Sequence, residues 1–277
     1  MMTMTMTTIK DTPSRPHWRE CLPELRERLA NFPRILVASD FDGTLSPLVD
    51  QRESAVLETG AEAVLSQLAT LRPKVKLAFL SGRGLEDLTP RLGLSPDQAV
   101  FAGNHGLEIR GARMDWTHPA RFATRADLEV LIATISRGTT HLPGVELEDK
   151  GASLSLHYRQ MAMENEPELR EFVSGLIIPE TVRTHEGKMV FEFRPSVEWN
   201  KGFAIRRIIR RLDLQDDAVI FLGDDVTDED VFRELGTTAF TIHVGPSDRS
   251  SHARLNAEDP ADVVVFLESL VNLLKQA

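Results

Sequence analysis

Asp40-Phe41-Asp42-Gly43-Thr44 sets two carboxylates two residues apart at the end of an apolar run. In a strand, the period of two sends Asp40 and Asp42 to the same side and turns Phe41 away from them. Adjacent carboxylates repel, so such a pair takes up a proton or shares a cation. Oxygen ligands suit a hard ion such as Mg2+. Gly43 lets the chain turn sharply and come close to a ligand. An exposed strand end with ordinary Asp/Gly turn chemistry has the same composition, so this pair alone does not define a site.

A second acidic segment, Gly223-Asp224-Asp225-Val226-Thr227-Asp228-Glu229-Asp230, follows another apolar run. Thr227 and Asp230 have the spacing of a capping box, and acids in a first helical turn suit the helix dipole. Capping accounts for Thr227, Glu229 and Asp230. It leaves Asp224, against the strand end, without a purely structural reason. Ser81-Gly82-Arg83 reads as a turn off a third apolar run, and Lys201-Gly202 opens a helix after Trp199-Asn200. Alone, these are a simple turn and a surface lysine.

The elements that must position these residues follow from periodicity. Residues 35–41, 76–80, 100–103, 218–222 and 240–244 are short continuous apolar runs, the pattern of buried strands. Helical rhythm covers residues 17–31, 54–71, 201–212, 227–235 and 263–274. Strands alternating with helices predict a parallel sheet covered on both faces, with ligands bound beyond the C-terminal strand ends. Asp40, Asp42, Ser81, Asp224 and Asp225 all fall at such ends. Between residues 107 and 195 the texture changes: Ser153–Tyr158 and Met189–Arg194 alternate, and helix-like segments lie near 122–137 and 165–178. An α+β unit with a half-polar sheet face is expected there. The predicted division is a tail and helix over 1–31, an α/β core over 32–106 and 196–277, and an insertion over 107–195. Residues 1–16 are expected to be unstructured.

The 277 residues suffice for a core domain plus a smaller one. A net charge of −10 argues against nucleic-acid and anionic-membrane partners. It permits a phosphate ligand where a cation and a few basic groups invert the local field. Cys21 is the single cysteine, which excludes an internal disulfide. No stretch reaches the roughly 20 apolar residues of a membrane span, and the N-terminal Met/Thr run does not read as a secretory signal. A cytoplasmic monomer is the expectation.

The order Asp-Phe-Asp-Gly-Thr, Ser-Gly-Arg, Lys-Gly, Gly-Asp-Asp resembles the four motifs of the haloacid dehalogenase superfamily of phosphohydrolases, from Ile35 onward. Within it the chain resembles the trehalose-6-phosphate phosphatases. The segments that carry this likeness are 41–47, 80–83, Gly103-Asn104-His105-Gly106-Leu107-Glu108, Ser155-Leu156-His157-Tyr158-Arg159, Glu192-Phe193-Arg194-Pro195 and 223–230.

The resemblance implies an α/β fold: a Rossmann-like parallel-sheet core with an inserted α+β cap domain that closes over a sugar phosphate. It implies Asp40 as the nucleophile, Asp42 as the proton carrier, and Ser81 and Lys201 as phosphoryl ligands. Mg2+ would be held by Asp40, the Asp42 backbone carbonyl and Asp224, with Asp225 or Asp228 in support. The acid and base roles of Asp42 would need a raised pKa, supplied by neighbouring carboxylates. Asn104, His105, Lys150, His157, Arg159, Lys188, Glu192 and Arg194 would contact the sugar. A related phosphatase for sucrose, glucosylglycerol or mannosylglycerate phosphates, or a non-catalytic sugar-phosphate sensor, stays open. So does a functional link to a trehalose-6-phosphate synthase.

Overall fold

The structure is a computed structural model and describes residues 15–276, so nearly all of the expected tail lies outside the described residues. The strands are β1 (Ile35–Ser39), β2 (Val75–Leu80), β3 (Ala99–Gly103), β4 (Glu108–Gly111), β5 (Met114–Thr117), β6 (Glu146–Asp149), β7 (Leu154–His157), β8 (Val182–Gly187), β9 (Val190–Pro195), β10 (Val219–Gly223), β11 (Phe240–Val244) and β12 (Leu255–Ala257). The helices are α1 (Leu22–Asn31), α2 (Ala61–Thr70), α3 (Leu85–Arg91), α4 (Ala120–Ala123), α5 (Arg125–Gly138), α6 (Glu166–Ser174), α7 (Lys201–Leu212), α8 (Glu229–Leu235) and α9 (Pro260–Gln276).

Eight strands form one sheet in the order β12-β11-β10-β1-β2-β3-β4-β5, parallel from β12 through β3. β1 and β10, remote in sequence, are neighbours at its centre, which brings the two acidic segments together. Every residue of β1, β3, β10 and β11 is buried, as a sheet packed on both faces requires. One face packs on α2, α3 and α9 through residues such as Leu65, Leu88 and Phe266, with Phe41 among them. The other packs on α7 and α8 through Ile205, Ile208 and Phe232.

A second sheet, β6-β7-β9-β8, is antiparallel and carries α5 and α6 on a core of its own that includes Leu131, Leu169 and Phe193. The strands of 108–117, expected within the insertion, instead pair antiparallel onto β3 and extend the large sheet. Their alternation suits a hairpin added at a sheet edge as well as it suits a separate sheet. The chain leaves the large sheet after β5 and returns to it before α7. The two connections meet in an aromatic cluster, with ring centroids 4.9 Å apart for Trp116 and Trp199 and 5.1 Å apart for His118 and Trp199.

Two helix boundaries differ from their sequence signals. The helix expected over 54–71 begins only at Ala61, because Gly60 adopts a left-handed conformation at its N-cap. The capping box of Thr227 and Asp230 does not form; α8 starts at Glu229, and Asp228 turns its carboxylate back into the preceding loop. No helix among the described residues is long and apolar enough to cross a membrane.

Candidate active site

The sheet register builds the site. Ser39 pairs with Leu222, and the Asp40 amide donates to the Leu222 carbonyl at 2.9 Å. Asp40 therefore leaves its strand beside Gly223, one residue before Asp224. Gly43 has φ +81°, and a Cβ there would collide with the Asp224 carboxylate. Only glycine allows the two loops to approach this closely.

Oxygens of Asp40, Asp224 and Asp228 lie within 4.8 Å of one another. Lys201, capped into α7 by Asn200, projects its ammonium into this cluster, 2.7 Å from Asp40 Oδ1 and 2.9 Å from Asp228 Oδ1. The lysine is fully buried, against the surface reading. Burial lowers the tendency of Lys201 to hold its proton, but Asp228 and Asp40 outweigh this and raise its pKa. Burial pushes Asp40 up to about 8 against the pull of Lys201, with Asp228 and Asp42 adding to the rise. Burial, followed by Asp40, Asp228 and Asp225, pushes Asp224 up to about 9. Burial raises Asp228 as well. One ammonium among the carboxylates of Asp40, Asp224 and Asp228 leaves a hollow of hard oxygens, a donor set that fits Mg2+.

Asp225, one of the two residues expected in support of the metal, lies elsewhere. Asp225 is exposed and contributes its backbone N–H, which together with that of Asp224 donates to Asp228 Oδ2 at 3.1 Å. Of the two residues expected in support, Asp228 is the one that folds inward. The Asp42 carboxylate, expected to carry protons rather than metal, is outside the acidic cluster. Arg83 holds it in a fork, Nε to Oδ2 at 2.7 Å and Nη2 to Oδ1 at 2.6 Å. The neighbour of Asp42 is a guanidinium rather than the carboxylates expected around it.

Ser81 is buried at the end of β2, its amide bonded to the Ala102 carbonyl and its hydroxyl accepting from the Arg83 amide at 3.1 Å. The inserted sheet sits directly over this edge. Lys150 Nζ donates to the Gly82 carbonyl at 3.0 Å, and Arg159 Nη1 donates to the Val49 carbonyl at 2.9 Å. Lys150 Nζ is also 3.5 Å from Glu192, and His105 Nε2 is 3.7 Å from the same carboxylate. Burial, then Arg194, pushes His105 down to about 4 against the pull of Glu192, so the ring is neutral near pH 7. Burial would raise Glu192, yet it lies well below its ordinary range. With His105 neutral, the cations that keep it ionised are Lys150 and Arg194. Both ring nitrogens of His105 are buried without a hydrogen-bond partner, and Nε2 lies on the Glu192 side.

Three other expected contacts are less available. Asn104 is buried, donating to Glu108 and the Lys150 carbonyl and accepting from Ser153, so it braces the junction with both N–H groups spent. His157 pairs with Glu148 at 3.2 Å. Lys188 is exposed in the β8–β9 turn and forms no ion pair among the described residues.

Sequence reasoning gave no role to Arg83, Asp87, Arg52 or Glu148, which form a continuous network here. The i, i+4 spacing of Arg83, Asp87 and Arg91 was the available signal for part of it.

The family model described as Trehalose-phosphatase matches residues 38–261. The trehalose-phosphate phosphatase of Mycobacterium marinum is 37% identical over 251 residues, covering 87% of this chain and 63% of that protein. The chain thus spans just under two thirds of that relative's length. Among solved structures, the Aspergillus fumigatus trehalose-6-phosphate phosphatase aligns with a TM-score of 0.61 at 27% identity, over 92% of this chain and 97% of that one. The C-terminal domain of the Candida albicans trehalose-6-phosphate phosphatase shares the fold at a TM-score of 0.75 and 23% identity, over 95% and 99% of the two chains.

Proposed function

We propose, since the chain belongs to the trehalose-phosphatase family, that it hydrolyses trehalose 6-phosphate to trehalose and inorganic phosphate through a phospho-aspartate on Asp40. The observation that carries this reading is the Asp40–Lys201–Asp228 contact beside Asp224, at the C-terminal edge of the sheet.

Asp40 attacks phosphorus and the P–O bond to the sugar breaks. Asp42, once free of the Arg83 fork and protonated, gives its proton to the leaving sugar oxygen, then takes one from the water that cleaves the acyl phosphate. Splitting one displacement into two lowers the barrier to each. An ammonium has three N–H groups. Asp40 and Asp228 accept two of those on Lys201, and the third serves a phosphoryl oxygen. Ser81 offers its hydroxyl to another. Mg2+, held by Asp40 and Asp224 with Asp228 behind them, would neutralise charge on the transferring phosphoryl group.

The inserted sheet acts as a cap. His105, Lys150, Glu192 and Arg194 supply donors and acceptors to sugar hydroxyls, with His157, Arg159 and Lys188 at the margin. The unpartnered nitrogens of His105 favour this assignment, because buried polar groups ordinarily find a partner.

Phosphate release should be measured with Mg2+ over trehalose 6-phosphate and the phosphates of sucrose, glucosylglycerol and mannosylglycerate. Trehalose 6-phosphate is expected to be turned over fastest. Faster release from another sugar phosphate replaces the substrate assignment, and binding without any release replaces the enzyme with a sensor.

A further inference from the structure

One edge of the inserted sheet holds buried nitrogens with no partner among the described residues. Arg183 and His185 lie on β8, opposite Arg194 and Glu192 of β9. The strand period puts these four side chains on one face, away from Val182, Phe191 and Phe193, which enter the unit's own core. Glu192 lies beside Lys150 and His105, so this face is the one turned to the large sheet. Arg183 Nε, His185 Nε2 and Arg194 Nε are buried and make no hydrogen bond. Arg194 has Glu192 as its ion-pair partner. Arg183 forms no ion pair among the described residues and stands directly across from the Arg194 guanidinium. Like charges opposed across two strands cost stability. Burial, with Arg194 and Arg183 adding to it, lowers the pKa of His185, so its ring is neutral near pH 7.

We propose that Arg183 and His185 are specificity-determining residues that bind the second pyranose ring of a phosphorylated disaccharide, the ring without the phosphate. The proposal deepens the reading of the chain as a trehalose-6-phosphate phosphatase and rests on it. The hydrogen bonds that seat the unit on the large sheet come from its other side, from Lys150 after β6 and Arg159 after β7. Among the described residues no side chain of β8 reaches that half, so β8 is the open side. A substrate whose phosphoryl group sits at Asp40 and Lys201 places its first ring by Glu192 and its second towards β8.

The mixture of groups favours a sugar over a second anion. Arg183 and Arg194 donate, Glu192 accepts, and a neutral imidazole does one at each nitrogen. Hydroxyls both donate and accept, and match that set. An anion would meet the Glu192 carboxylate.

The test uses the full chain with Mg2+, on trehalose 6-phosphate and on glucose 6-phosphate, which lacks the second ring. Arg183→Met keeps the apolar stem and removes the donors. Its KM for trehalose 6-phosphate should rise about tenfold with kcat within about twofold, as for a charged hydrogen bond made equally in ground and transition states. Its kcat/KM for glucose 6-phosphate should stay within about twofold. An unchanged KM for trehalose 6-phosphate overturns the proposal. So do equal losses on both substrates, which would make Arg183 a contact of the phosphoryl group or the shared ring. The melting temperature of Arg183→Met should hold or rise, because an opposed like-charge pair is removed. A fall would make Arg183 a structural residue and overturn the assignment.

Calorimetric titration with trehalose and with glucose gives an arm independent of turnover. The wild-type chain should bind trehalose about tenfold more tightly than glucose, and Arg183→Met should erase that margin. A margin absent from the wild type, or kept in the variant, overturns the subsite. If the wild type releases no phosphate from trehalose 6-phosphate, the phosphatase reading fails and this arm still decides the subsite. His185→Leu removes Nε2 and should narrow the same margin, so the titration stays decisive if Arg183→Met does not fold.

Discussion

The Lys201 ammonium lies 2.7 Å from Asp40 Oδ1, with only 2% of the lysine side chain and 6% of the aspartate side chain exposed. It is the one cation that forms an ion pair with the carboxylates of Asp40, Asp224 and Asp228 among the described residues. Replacing it by methionine leaves buried carboxylates uncompensated. Lys201→Met should lower the unfolding free energy by about 3 kcal/mol in chelator, read from urea unfolding near neutral pH. An unchanged midpoint would mean that the cluster does not depend on this charge.

Asp40→Asn removes the proposed nucleophile and keeps its volume. Phosphate release from trehalose 6-phosphate should fall below detection while circular dichroism and melting stay those of a folded protein. Turnover at the wild-type rate in this variant would falsify the covalent route.

Arg83→Lys keeps a positive charge but cannot fork onto Asp42 and reach Asp87 together. Asp42 and Asp87 then lose their shared donor, and the melting temperature should fall. The check is a thermal melt followed by circular dichroism; an unchanged midpoint would mean that the fork does not hold the two loops together.

Divalent cation and pH should act together on stability. Asp40 and Asp224 have folded-state pKa values raised to about 8 and about 9. Carboxylates shifted up contribute stability that is full below their unfolded pKa and lost as pH rises through the folded value. The metal-free protein should therefore weaken on going from pH 6 to pH 9. Mg2+ should raise the melting temperature more at pH 9, where it no longer competes with protons. Equal Mg2+ effects at the two pH values would argue against these carboxylates as its ligands.

His105 gives the opposite sign. Its folded pKa of about 4 lies below the ordinary imidazole value of 6.5. The stability it contributes is present above 6.5 and lost as pH falls towards 4. In His105→Gln the unfolding free energy should vary less over that window, as followed by chemical unfolding at several pH values. Parallel curves for the two proteins would place the acid sensitivity elsewhere.

The strands that carry Asp40, Ser81 and Asp224 were legible because a strand buried on both faces leaves a continuous apolar run, and its polar successor marks the C-terminal edge. Lys201 was legible only through the order of the motifs, since a lone lysine carries no sign of being buried. The hairpin of 108–117 was assigned to the insertion because alternation reports a half-exposed strand and does not say which sheet it joins. Asp228 was grouped with Asp225 because the sequence does not show which carboxylate folds inward. Arg52 and Glu148 had no local signal at all: they are 96 positions apart and meet only when the insertion seats. The partners of His105 and Asn104 are likewise set by tertiary packing.

The contact between Trp116 and Trp199 has a consequence for how the chain assembles. β3 and β10, both strands of the large sheet, are separated by more than a hundred residues, most of them in the insertion. Closing so long a loop costs entropy before any strand pairing repays it. The inserted unit has its own apolar core, and the two chain segments that leave and enter it meet at these rings. With that contact made between β5 and the segment before α7, the two ends of the unit are side by side. The rest of the chain then closes what amounts to a short loop, so early packing of these rings would speed completion of the sheet that carries Asp40 and Asp224.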